Sequence, residues 1–239
     1  MSQPRLFFPV ALNFEDWPCA IVGGGDEAEF KTRAFNQFGK APTVIAEHFT
    51  IGLQELGECG NAKLVQASYS PDLLDGVKIL LACSEDEALN LSVGRDARSR
   101  GILFNMVDNA DISDFIASSF VRRGNITVNV MTDALSPAFA NSVRNKIARM
   151  LENNYQAHLK FFVETKLRIN KLTNNLRIKK RVWRELVDLD LLGILENEGE
   201  IVAVNEVDRV ISDHFSRGPE NDQDQLATSQ SGQGSNNED

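Results

Sequence analysis

The stretch CAIVGGGDEAEFKTRAF, residues 19–35, decides how this chain is interpreted. Four apolar residues run into three glycines, and an acidic, amphipathic segment follows directly. This order predicts a strand, a tight turn and a helix. Three consecutive glycines at such a junction indicate a backbone that something must approach more closely than a side chain would allow.

The first half of the chain alternates apolar runs with polar, helix-forming segments. The apolar runs predict strands at 19–22, 42–47, 63–67, 77–83 and 101–107. Ser84 is expected to be the N-cap of the helix after the fourth strand, with Glu87 at the capping-box position. Apolar strands separated by helices are typical of a parallel sheet covered on both faces. The predicted fold class is therefore α/β, with a Rossmann-type doubly wound sheet.

The pattern changes after residue 108. Two extended segments turning at 123–125 predict a hairpin, and Ser136-Pro137 predicts a helix start with serine as N-cap. Apolar residues then recur at helical spacing to about Leu192, and such stripes are more often core than a cofactor site. We expect four parts: a cofactor-binding domain (1–113), a small strand-plus-helix dimerisation unit (114–151), a helical domain (152–217) and a disordered acidic tail (218–239).

Composition narrows the class of protein. The formal net charge is −9, and the tail holds five acids and no base, which leaves −4 for the rest. An acidic chain argues against general nucleic-acid binding. We expect no signal peptide and no membrane span, because the apolar runs are too short. The three cysteines have no metal-ligand spacing, and the three histidines are scattered. We expect reduced cysteines, a cytoplasmic location and no permanent metal.

The glycine turn fits a dinucleotide fingerprint. Gly23-x-Gly25-x-x-Ala28 stands between a strand and a helix, as G-x-G-x-x-G/A requires. Glu47 ends the second strand 22 residues after Gly25, where a carboxylate can accept ribose hydroxyls and repel a 2′-phosphate, so NAD is expected. The alternative is a glycine-rich turn beside a solvated Glu47. The cofactor-binding candidates are Gly23, Gly24, Gly25, Asp26, Glu27, Glu47 and His48.

Several motifs together give a resemblance to a known family. They are FPVALNFEDWPCAIVGGGDEAEFKTR, LLACSEDEALNLSV, FNMVDNADISDFI and RRGNITVNVMTDALSP, followed by Arg144 and Lys146. In order and spacing they resemble the precorrin-2 dehydrogenase/sirohydrochlorin ferrochelatase family, the NAD-dependent module of siroheme synthase. The similarity runs from about Phe8 to Trp183. With no methyltransferase domain after it, the chain is expected to be a free-standing form of that module.

The resemblance implies a chemistry and a catalytic residue. Family members oxidise precorrin-2 to sirohydrochlorin with NAD, and some also insert ferrous iron to give siroheme. An aspartate after the fifth strand is implicated in both steps, and here it is Asp108. Its place at the carboxyl end of a parallel strand suits a proton acceptor. The alternative is that Asp108 only caps its loop through an Asx-turn.

The resemblance also implies a substrate surface and a partner. The tetrapyrrole carries eight carboxylates, so an acidic protein must bind it with local basic and polar groups. The substrate-binding candidates are Arg122, Arg123, Ser136, Arg144 and Lys146, although each basic one alone could be solvated surface. We expect a homodimer through residues 115–151, because this segment is richer in apolar residues than a small lobe can bury, and because the family dimerises there.

One loop departs from the family pattern. The usual Thr-x-Gly-x-Ser-Pro appears as Thr132-Asp133-Ala134-Leu135-Ser136-Pro137, with the glycine lost and an acid added. This departure leaves a second hypothesis open, a non-catalytic NAD- or tetrapyrrole-binding protein on the same scaffold. The presence of Asp108 and Glu47 favours the enzyme.

Overall fold

A computed structural model of the chain describes residues 6–107, 109–151 and 155–216. The chain divides into two compact units, with the boundary between Met150 and Leu151. The first unit holds the sheet, its helices and the hairpin segment, and the second is helical. The acidic tail and Asp108 lie outside the described residues.

The first unit is built on a five-stranded parallel sheet. Its strands are β1 Cys19–Val22, β2 Thr43–Ala46, β3 Lys63–Gln66, β4 Ile79–Ala82 and β5 Leu103–Met106. They lie in the order β3-β2-β1-β4-β5, and every pairing is parallel. The helices of this region are α1 Asp26–Asn36, α2 Ile51–Glu58 and α3 Glu87–Ser99. All five predicted strands and the α/β fold class are confirmed.

Two apolar layers hold the sheet, one on each face. Strands β1 and β4 are buried at all four positions, as central strands of a parallel sheet should be. Successive side chains point to opposite faces, so Val22 joins Phe104 and Val93 of α3 on one side. Ile21 joins Ala28 of α1 on the other side. The carboxyl ends of β1 and β4 are thereby fixed next to each other.

Two local features differ from what the sequence led us to expect. Helix α2 was not predicted, because its eight residues are too few to show a helical period. It begins after Thr50, whose Oγ1 accepts from Leu53 N at 3.2 Å. The N-cap of α3 is Asp86 rather than Ser84. Asp86 Oδ1 accepts from Ala88 N at 2.9 Å, whereas Ser84 Oγ accepts from Asp86 N at 3.1 Å and forms the preceding turn.

The hairpin and its helix are present as expected. Strands β6 Ser119–Arg123 and β7 Ile126–Val130 pair antiparallel, and α4 Pro137–Met150 packs against both. Ser136 is the N-cap of α4, since its Oγ accepts from Phe139 N at 3.2 Å. The apolar stripe of α4 was expected to be core. This is wrong, because a single chain leaves part of the stripe exposed. Phe139 is 63% exposed and Met150 is 65% exposed.

The second unit is a helical bundle. Its helices are α5 Tyr155–Leu172, α6 Leu176–Asp188, α7 Leu191–Asn197 and α8 Glu200–Ser216. Their core comprises Phe161, Ile169, Val182, Leu186, Leu191, Leu195, Ala203, Val207, Val210 and Ile211. Part of the predicted stripe is therefore not core: Leu167, Leu172 and Leu176 are exposed, because helical spacing alone did not indicate which sides of α5 and α6 face their neighbours. Among the described residues, no helix has both the length and the apolar character needed to cross a bilayer.

Candidate cofactor site

The glycine turn lies at the carboxyl edge of the sheet, beside the ends of β2 and β4. Gly23 N donates to Ile45 O of β2 at 3.0 Å, and Thr50 N donates to Gly24 O at 2.9 Å. Gly23 has φ +129°, a backbone conformation that favours glycine. In doubly wound sheets, ligands bind outside this edge where the strand order reverses, here between β1 and β4.

The three glycines have three different neighbourhoods. A Cβ built on Gly23 would approach Cys83 O to 2.6 Å, and one built on Gly24 would collide with the carbonyl of His48. A Cβ on Gly25 would meet no atom within 4 Å. The first two glycines are therefore needed by the fold itself. Gly25 faces open space, so no contact within the described residues requires its lack of a side chain.

The start of α1 offers hydrogen-bond donors to that space. Gly25 is the N-cap residue, and no side chain caps the helix. The first backbone N–H groups of a helix have no intrahelical acceptor, and together with the helix dipole they attract anions. Ala28 is fully buried against the sheet, as the third position of the fingerprint requires. These observations fit the pyrophosphate of a dinucleotide.

Acidic residues in the first turn of α1 work against an anion, and most of their charge is compensated. Glu27 pairs with Lys31 at 3.0 Å, and Glu29 pairs with Arg33 at 2.8 Å. Glu29 Oε2 also accepts from Thr50 Oγ1 at 2.7 Å. The hydrogen bond from Thr50, with further help from Arg33, lowers the pKa of Glu29 below its usual value near 4.5. Sequence reasoning missed Glu29 and Thr50, because the glycine motif gives no signal for them.

The end of β2 carries the predicted ribose-binding acid. Glu47 is exposed, and its Oε1 accepts from Ser68 Oγ, which follows β3, at 2.5 Å. Gln66 Nε2 donates to the carbonyl of Glu47 at 3.0 Å, so backbone and side chain are both held. His48 is exposed, and its carbonyl rather than its ring lies against the turn, at Gly24.

The loop after β5 is held by buried polar groups on both sides of position 108. Asn109 N donates to Met106 O at 3.2 Å, which closes a tight turn. Ser113 is 3% exposed; its Oγ accepts from Met106 N at 3.0 Å and donates to Asn109 O at 2.6 Å. Asn105 Nδ2 donates to Phe115 O at 2.9 Å. The residues flanking Asp108 are thus anchored at the same edge as the glycine turn.

The hairpin arginines lie at the other end of α1. Arg122 is placed over the ring of Phe38 with its guanidinium carbon 4.8 Å from the centroid, and its NH1 donates to Thr127 Oγ1 at 3.1 Å. Arg123 is exposed. The 11 residues of α1 rise about 16 Å. Among the described residues, no hydrogen bond or ion pair joins these arginines to the glycine turn.

The other substrate candidates lie on α4. Ser136 is occupied as the N-cap, and Lys146 is exposed. Arg144 is half-buried; its Nε is buried without a hydrogen-bond partner among the described residues. In the described part of the chain, no hydrogen bond or ion pair joins these α4 groups to the carboxyl edge of the sheet.

A cavity beside the hairpin is apolar. Its volume is about 220 Å³, and it is lined mainly by aromatic and aliphatic side chains, including Phe14, Phe35, Phe38, Phe115 and Phe120. Such a lining does not suit a polycarboxylate or a phosphate. Within the part of the chain that the structure describes, no group of three or more His, Cys, Asp or Glu side chains is arranged to hold a metal ion.

Comparison with known proteins agrees with this geometry. Residues 10–119 match the family model described as "Putative NAD(P)-binding". This part of the chain is similar to the domain that the family model describes. The match includes the glycine turn, Glu47 and the loop after β5, so a nicotinamide dinucleotide is confirmed as the cofactor class.

Curated relatives are siroheme synthases. That of Chromobacterium violaceum is 28% identical over 206 residues, which cover 86% of this chain and 44% of the relative. That of Escherichia coli O1:K1 / APEC is 30% identical over 185 residues, covering 77% and 40%. The chain spans less than half the length of these relatives. The resemblance inferred from the sequence is confirmed by these matches.

A solved structure shares the fold. The chain is similar to "SirC, precorrin-2 dehydrogenase", with a TM-score of 0.67 and 19% identity over 85% of this chain and all of that one. At this identity the likeness establishes the fold, the five-stranded sheet together with C-terminal helices.

Proposed function

We propose that this protein oxidises precorrin-2 to sirohydrochlorin with NAD as the hydride acceptor. The observation that carries the proposal is the turn at Gly25, which is open toward solvent, faces the uncapped start of α1 and lies at the same sheet edge as Glu47 and the loop of Asp108. The resemblance in sequence and the siroheme synthase relatives support precorrin-2 as the substrate. The three cysteines form no disulfide with one another, which fits a reducing cytoplasm.

The chain has residues for each part of the cofactor. The backbone of Gly24 and Gly25 and the first N–H groups of α1 would hold the pyrophosphate. Glu47, held by Ser68, would accept the ribose hydroxyls and disfavour a 2′-phosphate, so NAD is preferred over NADP. When bound, the nicotinamide ring supplies the acceptor for the hydride that leaves the substrate.

Asp108 is the proposed proton acceptor. Oxidation of precorrin-2 removes a hydride and a proton, and a carboxylate at the carboxyl edge of the sheet can take the proton. Met106 and Asn109, on either side of this position, are both hydrogen-bonded to Ser113. We extend the proposal to insertion of ferrous iron as substrate, where the same carboxylate would accept the pyrrole protons.

In the same proposal, a second chain supplies the basic groups that bind the substrate. Arg122 and Arg123 lie at the far end of α1 from the glycine turn, so they can serve a site at the carboxyl edge only if a partner subunit supplies them. The exposed apolar side chains of α4 and its preceding loop, Leu135, Phe139 and Met150, support a homodimer through this segment.

The decisive experiment compares the wild-type protein with Asp108→Asn. The variant keeps the size of the side chain and removes the titrating carboxylate, so oxidation of precorrin-2 followed by absorbance should slow by about a hundred- to ten-thousand-fold. The dissociation constant for NAD, titrated beside NADP, should stay nearly unchanged, since the proposed cofactor contacts are on other loops.

The capping alternative gives the opposite pattern. Loss of a loop cap lowers the free energy of unfolding by about 1 kcal/mol and leaves turnover near normal. Near-normal oxidation by Asp108→Asn would therefore reject the catalytic assignment. Wild-type protein that binds NAD and the tetrapyrrole but oxidises nothing would instead favour the non-catalytic binding protein.

A further inference from the structure

The charges of the helical unit are separated along the chain. Residues 160–184, on α5 and the first nine residues of α6, hold nine bases and one acid. Residues 185–216, which complete α6 and form α7 and α8, hold nine acids and one base. In a protein with a net charge of −9, this makes α5 and α6 a strongly basic surface beside an acidic one.

The bases of α6 form a stripe on its outer side. Arg177, Lys180 and Arg184 are exposed and recur at spacings of three and four, so they share one side of the helix. Val182 and Leu186 of the same helix are fully buried in the core of the unit. Hence α6 presents its apolar side to the bundle and a row of cations to solvent. We call this row the basic stripe.

The basic stripe has no acidic partner among the described residues. Arg168 of α5 pairs with Asp208, and Arg209 of α8 pairs with Glu206, whereas no ion pair within 4 Å involves Arg177, Lys180 or Arg184. Three unpaired cations on adjacent turns repel one another. A ligand with several negative charges at matching intervals would relieve that repulsion.

The end of α8 lies next to α6. His214 Nε2 is 2.9 Å from Glu185 Oε2, and Arg209 NH1 is 3.7 Å from Glu185 Oε1. Glu185 directly follows Arg184 in the chain. The 23 residues of segment 217–239 therefore follow the end of α8 that contacts α6, a helix about 20 Å long. Six or seven extended residues can span that length.

The beginning of the tail is opposite to the stripe in charge, and its acids recur at a similar interval. Glu220, Asp222 and Asp224 alternate with neutral residues, so in an extended chain their carboxylates share one side at intervals of about 6.5–7 Å. Cations three or four residues apart on a helix are about 4.5–6 Å apart along its axis. The acids of α8 repel the same segment, whereas the basic stripe of α6 attracts it.

We propose that segment 218–224 of the acidic tail docks on the basic stripe of α6. The contact is electrostatic, exposed to solvent and reversible, so it weakens as salt shortens the Debye length from about 10 Å at 0.1 M.

Amide NMR shifts test the docking within the intact chain. Spectra of residues 1–239 and of a chain ending at Arg217 are compared at 50 mM and 500 mM NaCl. At low salt, the differences should concentrate at residues 176–184 and shrink severalfold at high salt. A synthetic peptide of residues 218–239 added to the shortened chain should reproduce the same shifts.

Charge variants identify the partners of the contact. Arg177→Glu/Lys180→Glu/Arg184→Glu should weaken binding of the peptide at least tenfold, whereas Lys63→Glu/Lys78→Glu/Arg95→Glu, with the same change in net charge in the first unit, should not. Glu220→Gln/Asp222→Asn/Asp224→Asn in the full chain leaves the described helices untouched and should give the α6 spectrum of the shortened chain. Identical α6 spectra with and without the tail, or equal weakening by both charge reversals, would overturn the proposal.

Discussion

Two loops of the first unit contain residues with positive φ, and they differ in which residue types adopt it. The turn after β1 places a glycine where the backbone needs one: Gly23 has φ +129°. The loop from Thr132 to Pro137 has no glycine, yet Asp133 and Ala134 have φ +46° and +60°. For an L-residue other than glycine, this left-handed region is strained.

The neighbourhoods of the two loops differ as well. The glycine turn is bonded to Ile45 O and Thr50 N, and its neighbours are supplied within one chain. The second loop carries Leu135, which is 70% exposed, and leads into α4 with Phe139 exposed. The first loop is complete in a single subunit. The second keeps strain and apolar exposure that a partner would account for, and the predictions below test this difference.

The largest expected effect is at Gly25. Gly25→Val puts a side chain into the open space in front of α1, where the pyrophosphate would lie. The pyrophosphate would lose contacts worth about 4 kcal/mol, so binding of NAD should weaken about a thousandfold, as measured by calorimetry. The fold should persist, because Gly25 has φ −88°, which valine adopts readily.

Gly24→Ala is the contrasting variant in the same turn. Its Cβ collides with the carbonyl of His48, so the free energy of unfolding should fall by about 1–3 kcal/mol in urea titration. If Gly25→Val destabilised the protein as strongly as Gly24→Ala, the open space at Gly25 would not be a ligand site. Normal affinity for NAD in Gly25→Val would also reject the proposed cradle.

The next effect concerns assembly. Phe139 is 63% exposed on α4, and each subunit of a two-fold dimer would bury its own copy. In Phe139→Asp, the dimer loses the free energy of burying this side chain, about 1.5–3 kcal/mol at each of two copies. We therefore expect the dissociation constant of the dimer, measured by sedimentation, to rise about a hundredfold or more. Ile201→Asp, at an 81% exposed position in the second unit, is the control and should leave assembly unchanged. A wild-type protein that sediments as a monomer at micromolar concentration would contradict the dimer.

The same contrast explains what the sequence could predict. The five strands, the hairpin and the start of α4 were predicted because periodicity, glycine and proline are local signals. The tight turn at Gly23 and the burial of Ala28 followed from a motif whose spacing encodes its geometry, and the pyrophosphate role of Gly25 stays a prediction. The strand order β3-β2-β1-β4-β5 also fits what the fold class implies.

The features that could not be predicted from the sequence depend on contacts between residues far apart in the chain. Ser68 reaches Glu47 across 21 positions, and Thr50 reaches Glu29 across the same number, without any periodic pattern. Asp86 displaced Ser84 as N-cap because the choice between two capping residues depends on where the chain leaves β4. The exposure of Phe139 could not be predicted either, since helical spacing identifies an apolar side of the helix but not the surface that packs against it.

The smallest effect separates strain from packing in the second loop. Ala134 has φ +60° and stands where the family pattern has glycine, so Ala134→Gly should remove a steric conflict between Cβ and the backbone. The gain is about 1 kcal/mol in the free energy of unfolding, or about 2–4 °C in Tm for a chain of this size. Ala138→Gly is the matched control: Ala138 is exposed in the first turn of α4, where helical backbone suits alanine, and the variant should lose about 0.5–1 kcal/mol. Opposite signs for the two substitutions would place the strain at the loop, whereas a loss of stability in both would mean that Ala134 is not strained in solution.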